Sequence, residues 1–383
     1  LKDPVLRPFT SEGKPPRVAV LGAGLAGLSC GYMLKKAGVH ADIYDPAENI
    51  ASGASGNLLG LYNPRFFALK MPESLYYRSG YAAAYSFFKQ AQDAYDIGFQ
   101  SCGALHLINT PEKDRRFRSM TSGQGWHEDH AQMLAPDQAS DIAGMDLNLP
   151  ALYLPDSGFV SPQKLCAFYA ADLSLKLGVQ AEVTADDGKW IIEGQEYDAV
   201  ILANGIAAHK NIYAGWLPLK NVRGQITHVQ ENGVSAKLKT CLCYGGYMSR
   251  SHDGVHVVGS SFQRGRDDVA ADPADDDSNL EKLTKAVPGL SGLQISGRQA
   301  GLRTTSPDHL PVIGAVPHFG DTIDNIRDAG QKGLFVSTGH GSHGIVSSLT
   351  AAVYLTDLIT DTPHSLPQST AKAVCAARFV KTV

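Results

Sequence analysis

Three glycines near the start of the chain, Gly22, Gly24 and Gly27, stand in the spacing G-x-G-x-x-G, and an acid, Asp45, follows about twenty residues downstream. That pattern can bind a dinucleotide. The first glycine permits a tight turn, the second lets a pyrophosphate approach the backbone, and the third lets a helix pack against a strand. Leu25 and Ala26 fill the turn between them, and the Asp45 carboxylate is placed to accept hydrogen bonds from ribose hydroxyls. A second glycine-rich turn, Gly339-His340-Gly341-Ser342-His343-Gly344, precedes a long apolar helix near the other end of the chain. A helix N-terminus offers free amides and a partial positive charge. The two imidazoles beside it, His340 and His343, are of the type that accepts a proton near neutral pH.

The surrounding elements suit these positions. Val18 to Leu21 reads as a buried parallel strand, the next residues as a helix ending at Gly38, and Ala41 to Tyr44 as a second strand. Together they form a βαβ unit. The stretch from Ala47 to Phe66 is too rich in Gly, Ser, Ala and Asn for a regular element. Its Ser55, Gly56 and Asn57 suit a loop lying flat along a ligand. A helix is expected over Pro72 to Ala94, strands over Ala104 to Ile108 and Ala151 to Leu154, and helices from Thr110 to Met120, Leu134 to Ile142 and Ser161 to Leu177. Short strands follow at Val179 to Val183, Trp190 to Glu193 and Asp198 to Leu202, the last closing in Ala203-Asn204-Gly205. Val222 to Val229 and Val255 to Val258 alternate as strands of an antiparallel sheet, Ile295 to Leu302 is a further strand leading to Arg303, and Gly333 to Thr338 is a buried strand. The acidic run Asp267 to Asp277 lacks calcium-loop spacing and reads as a solvated loop whose Asp277 or Ser278 caps a helix.

Composition narrows the class. The chain has 383 residues, 43% of them hydrophobic, with a net charge of −4 and six cysteines, none in C-x-x-C spacing. Buried thiols are expected, no metal site, and a cytoplasmic protein. No window has the unbroken apolar length of a membrane span, and the N-terminus lacks the apolar core of a signal peptide. The first residue is Leu, so a domain cut from a longer chain is one expectation. A mildly acidic protein has no global attraction for nucleic acid, and an RNA partner requires a local basic patch. The local basics are Arg65, Lys70, Arg78, Arg115, Arg116, Arg118, Arg264 and Arg266.

After Asp45 the βαβ pattern breaks off and resumes only near Ser161. This interrupted layout resembles the D-amino-acid-oxidase-like flavoproteins. Within them GASGNLLGLYNP, VRGQ, GSSFQRG, GLRTTSPDHLPVIG and GLFVSTGHGSHG, with the tail TAKAVCAARFVK, resemble the FAD-dependent oxidoreductase domain of the bifunctional tRNA wobble-uridine modification proteins (MnmC). The likeness runs over nearly the whole chain from Arg17. It implies an α/β fold, a Rossmann-like FAD-binding domain of the glutathione-reductase type interrupted by an antiparallel-sheet substrate domain. The expected division is a linker over residues 1–16, FAD-binding segments over 17–100, 155–215 and 300–383, and substrate-domain segments over 101–154 and 216–299.

The resemblance also implies a reaction. FAD would take part in removing the carboxymethyl group from 5-carboxymethylaminomethyl-(2-thio)uridine in tRNA, giving the 5-aminomethyl nucleoside and glyoxylate. A methyltransferase, fused or separate, would then act on the freed amine, and no membrane partner is implied. FAD contacts are expected from Gly22, Gly24, Leu25, Ala26, Gly27, Asp45, Ser55, Gly56, Asn57, Ala203, Gly205, Gly339, Gly341, Ser342, His343 and Gly344. A substrate carboxylate calls for a bidentate guanidinium. Arg303, in the block where related amine oxidases place theirs, is the first choice, and it also adjoins the cofactor. Arg223 in VRGQ is the second, although Gly224 after it suggests a turn where arginine serves structure. His340 and His343 are the proton acceptors considered. A small-molecule glycine, sarcosine or D-amino-acid oxidase or dehydrogenase satisfies the same logic, and a flavin-loaded RNA-binding module without turnover is a third reading.

Overall fold

The computed structural model describes residues 14–67, 71–123, 126–317 and 332–380. Most of the expected linker lies outside them, as does Lys70. With strands and helices numbered along the chain, a six-stranded sheet has the order β19-β20-β12-β1-β2-β8. Its strands are β1 (Val18–Leu21), β2 (Ala41–Asp45), β8 (Ser174–Leu177), β12 (Ala199–Leu202), β19 (Val312–Ala315) and β20 (Leu334–Thr338). All pairs are parallel except β19 with β20. β1 and β12 are buried along their whole lengths, as expected of strands covered on both faces. One face carries α1 (Leu25–Lys36), α2 (Pro72–Ala94), α5 (Pro162–Ala170) and α7 (Gly344–Thr360), whose Leu28, Leu34, Phe88, Leu165 and Leu355 share a core with Val18 and Ile43. The other face is covered by a meander of β9 (Thr184–Asp186), β10 (Lys189–Ile192) and β11 (Gln195–Tyr197), through Trp190, Ile192 and Tyr197.

A larger mixed sheet has the order β17-β13-β16-β15-β14-β4-β6-β5, with β18 running antiparallel along β13. Its strands are β4 (Ala104–Leu107), β5 (Gln132–Leu134), β6 (Ala151–Leu154), β13 (Lys220–Gln230), β14 (Cys241–Cys243), β15 (Tyr247–Met248), β16 (Val255–Gly259), β17 (Gln263–Arg264) and β18 (Ile295–Thr305). The back of this sheet is closed by α4 (Pro136–Ala143) and α6 (Pro273–Ala286), where Ala139 and Leu283 meet Leu105, Leu242 and Val258. Toward β6 the front is covered by α3 (Pro111–Gly123), through Phe117 and Met120 on Leu152 and Leu154. Among the described residues no helix is long and apolar enough to cross a membrane.

Several expectations change. The helix from Ser161 stops at Ala170, Asp172 takes a left-handed φ of 58°, and Ser174–Leu177 becomes the edge strand β8 beside β2. Val179 to Val183 is therefore not a strand, since the chain has already entered the sheet. The helix expected from Leu134 begins at Pro136, after strand β5. Within the Gly/Ser-rich loop, Gly60–Tyr62 forms a short strand, β3, against β7 (Gly158–Val160). The acidic run is a solvated loop only as far as Ala271: Asp272, not Asp277 or Ser278, caps α6, and Asp275 and Asp276 within that helix are buried.

Candidate active site

A cavity of about 810 Å³ lies where the carboxyl ends of β1, β12 and β20 face the front of the mixed sheet. Ligands of open parallel sheets bind at such strand ends. Gly22, Gly24, Leu25 and Ala26 line one end, with Asp45 beside them. Gly22 has a φ of +112°, and a Cβ there would stand 2.6 Å from the Ala203 carbonyl oxygen. A Cβ on Gly27 would lie 1.8 Å from the Gly22 carbonyl oxygen, so this glycine is used for the approach of α1 to β1 and does not line the cavity. The Asp45 carboxylate accepts from the amides of Ala23 (2.7 Å) and Ala47 (2.9 Å), which fixes its orientation.

Ser55 and Asn57 line the cavity, and the Ser55 hydroxyl accepts from the Leu25 amide at 3.0 Å. Gly56 does not line it; its carbonyl is taken by the Gln163 side-chain amide. Ala203 and Gly205 close the wall after β12, and Gly339, Gly341, Ser342, His343 and Gly344 form the turn into α7.

The two candidate arginines are separated by strand parity. Successive residues of a strand face opposite sides, and directly paired residues share a side. Arg303 pairs with Val222, and Gly301 with Gly224, so Arg303 lies on the cavity face of β18. Its guanidinium lies across Gly224, where a Cβ would come within 2.0 Å of Nη1. Gly224 is thus in mid-strand and not in a turn, and its missing side chain makes room for Arg303. Arg303 donates to the Ser260 hydroxyl (2.7 Å) and the Ser261 carbonyl (3.4 Å), both neutral. Desolvation holds its pKa below the usual arginine range.

Arg223 points to the back, is wholly buried and does not line the cavity. It donates to the Asp275 carboxylate, the Ala270 carbonyl and Gln263 (3.0 Å), and Gln225 and Thr227 beside it reach α6 through Asp276 at 2.9 and 2.6 Å. Arg223 is therefore not part of the substrate site: its charge is already met on the opposite face of the sheet.

Both histidines line the cavity. His340 is held by the hydroxyls of Ser337 (3.2 Å) and Ser347 (2.8 Å), and His343 stands edge-on to Tyr77. Burial pushes each pKa down to about 4, so both rings are neutral at neutral pH.

Lining residues not anticipated from the sequence include Tyr247, His106, Lys113, Asn204 and Lys210. His106, Cys243 and Tyr247 are register partners across β4, β14 and β15, so once one is assigned to the front the others follow. Asp45 is the only carboxylate among the described lining residues, against Lys113, Arg116, Lys210 and Arg303. Among the described residues no group of acids, histidines and cysteines could hold a metal ion.

The family described as FAD dependent oxidoreductase (DAO) matches residues 17–358. The bifunctional tRNA 5-methylaminomethyl-2-thiouridine biosynthesis protein MnmC of Legionella pneumophila is 26% identical over 94% of this chain and 57% of its own length. The protein of that name from Stutzerimonas stutzeri is 29% identical over 95% and 59%. The chain thus spans less than three-fifths of these relatives. In fold it is similar to glycine oxidase from Geobacillus kaustophilus, with a TM-score of 0.80, 21% identity, and coverage of 96% of this chain and 100% of that one.

Proposed function

We propose a reaction from the premise that the chain belongs to the FAD-dependent oxidoreductase (DAO) family and uses FAD: oxidative removal of the carboxymethyl group from 5-carboxymethylaminomethyl-(2-thio)uridine at the tRNA wobble position. The products are 5-aminomethyl-(2-thio)uridine and glyoxylate. The residues present fit the cofactor. The glycine turn before α1 would face its pyrophosphate, Asp45 its ribose, and the amides opening α7 the electron-rich edge of its ring. FAD, when bound, supplies the acceptor for a hydride from the carbon between the substrate nitrogen and carboxylate.

The observation that carries the reading is Arg303, desolvated at the cavity wall with only neutral partners among the described residues. A guanidinium in that state favours a carboxylate, which it can grip in two parallel hydrogen bonds. Hydride leaves only a neutral amine. With a single carboxylate and four cations among the described lining residues, the cavity's field disfavours the ammonium form. Imidazoles titrating near 4 are weak bases, and both ring nitrogens of His340 are taken by Ser337 and Ser347, so of the two it is His343 that would accept a hydrogen bond from the amine, without acting as a strong base. Water then hydrolyses the substrate imine to amine and glyoxylate.

The wobble nucleoside is preferred over a free amino acid because the relatives named for tRNA thiouridine biosynthesis match over 94% and 95% of this chain. A methyltransferase, fused or separate, would take the freed amine onward. The division into FAD-binding and substrate segments is part of the same proposal. Hypomodified tRNA incubated with the FAD-loaded chain should show the 5-aminomethyl nucleoside by mass spectrometry, with equimolar glyoxylate. Turnover of glycine or sarcosine with no change in the tRNA would replace this reading with the small-molecule oxidase.

A further inference from the structure

We propose that the end of the cavity remote from Arg303 is a phosphate subsite, in which Lys113 and Arg116 hold the RNA backbone next to the modified nucleotide. This rests on the tRNA reading above and adds the part of the substrate that a free amino acid lacks.

Helix α3, with the sequence PEKDRRFRSM, carries four cations on two of its faces. Arg115 and Arg118 turn outward and pair within the helix, with Glu112 at 3.4 Å and Asp114 at 2.9 Å. Lys113 and Arg116, three residues apart and so on one face, line the cavity together with Phe117. Lys113 donates to neutral oxygens of Asn109 (2.8 Å) and Leu107 (3.5 Å), and Arg116 to the Phe66 carbonyl (2.9 Å). Among the described residues neither forms an ion pair. Burial pushes the Lys113 pKa down, the mark of a cation partly removed from water with no counter-charge.

Position then selects the ligand. His106, the β4 residue on this side of the cavity, lies four strands from β13, over which the Arg303 guanidinium rests, through β14, β15 and β16. At about 4.8 Å per strand that is up to roughly 19 Å along the sheet. A free amino acid is about as long as one residue, ~3.8 Å, and cannot touch both ends. A ligand with a carboxylate at one end and a phosphate beyond a nucleoside can.

The path also continues. Phe66, packed edge-on to His106 and Phe117, lines a second cavity of about 400 Å³ together with Arg65, Arg78 and Trp126. An aromatic wall between two cationic cavities suits a single strand, in which bases stack and phosphates alternate with them. Lone phosphate has no use for that second cavity.

The test compares Lys113→Ala/Arg116→Ala with Arg115→Ala/Arg118→Ala, which removes the same charge from the outer face of the same helix. An anticodon stem-loop is titrated against each FAD-loaded protein at several salt concentrations. The cavity pair should weaken binding at least tenfold and lower the slope of log K against log salt by about 1.4, two contacts at ~0.7 each for single strands. The outer pair should change affinity less than twofold. Equal losses from both pairs, or none from the cavity pair, would overturn the subsite. Turnover is read separately. On a stem-loop carrying the carboxymethylaminomethyl group, the cavity pair should cost at least tenfold more in kcat/KM than on the free nucleoside. Wild-type protein that oxidises only free amino acids would sink the tRNA reading, while the binding titration still decides the subsite.

Discussion

Arg303 and Arg223 belong to neighbouring strands of one sheet, only one pairing position apart in register, yet they do opposite things. Arg223 faces α6 and has its charge met by Asp275, with Asp276 and Asn279 completing a network around Gln225 and Thr227. Arg303 faces the cavity with a hydroxyl, a carbonyl and the bare backbone of Gly224. The lesson is physical. A buried guanidinium whose counter-ion is built in holds the structure, because removing either partner strands the other. One whose desolvation is met only by neutral oxygens is completed by an anionic ligand.

The most forceful way to break this comparison is Arg303→Ala. Loss of two charge-assisted hydrogen bonds, about 4 kcal/mol together, should lower kcat/KM about a thousandfold while bound flavin and thermal stability stay near wild type. Arg303→Lys should recover only part, since an ammonium cannot form the paired geometry. Near-normal turnover by the alanine variant would remove Arg303 from the site. Arg223→Ala should do the reverse. It leaves Asp275 buried without its partner, at about 3–5 kcal/mol of stability, read as a lower midpoint in urea, with turnover per folded molecule changed less than threefold. If it instead folded normally and lost activity, the two roles would have to be exchanged.

The distinction was partly legible beforehand. In VRGQITHV the residues Arg223, Gln225 and Thr227 alternate with Val222, Gly224 and Ile226. A polar alternation facing an acidic helix is a readable sign of a buried network, but only once Asp275 and Asp276 are known to be helical and not part of a solvated loop. The dinucleotide unit from Val18 to Asp45 and the helix Pro72–Ala94 were legible because their signals are local: glycine spacing, a strand of four apolar residues, a long amphipathic run. Strand β8 was not. Ser174–Leu177 follows a genuine helix after a short break at Asp172, and its membership of the sheet is set by pairing with β2, which local sequence does not contain. Lys113 and His106 were hidden for the same reason, since only the register of β4 and the packing of α3 bring them to a cavity built mainly from other segments.

Gly224→Ala sharpens the comparison without touching either arginine. Its Cβ would meet the far end of a flexible side chain and not backbone, so the strand can stay while the guanidinium moves. A displacement of about 1 Å at a positioning group can cost a hundredfold in rate. That loss is expected here with the urea midpoint nearly unchanged. A large drop in stability instead would mean that the strand itself, not Arg303, depends on the glycine.

The smallest expected effect concerns protons, and its sign follows from the cavity imidazoles. Burial depresses His340 and His343 to about 4 and His106 to about 3, below the ~6.5 of an unfolded histidine. Between pH 6.5 and 4 the unfolded chain therefore binds protons that the folded chain refuses. The contribution of these groups is complete above pH 6.5 and is lost progressively as pH falls toward 4. Carboxylates held below their usual range, such as Asp272 and Asp308, give up theirs only below about pH 4. Melting temperature should accordingly begin to fall on acidification near 6.5, less steeply in His343→Gln. Over the same window kcat/KM should show no inflexion that His343→Gln abolishes, because the ring is already neutral. An imidazole break near pH 6.5 in wild type, absent from the variant, would mean that His343 takes up a proton in the folded protein, and the cavity face would then share with the back of the sheet a charged group held by a partner, blurring the contrast between Arg303 and Arg223.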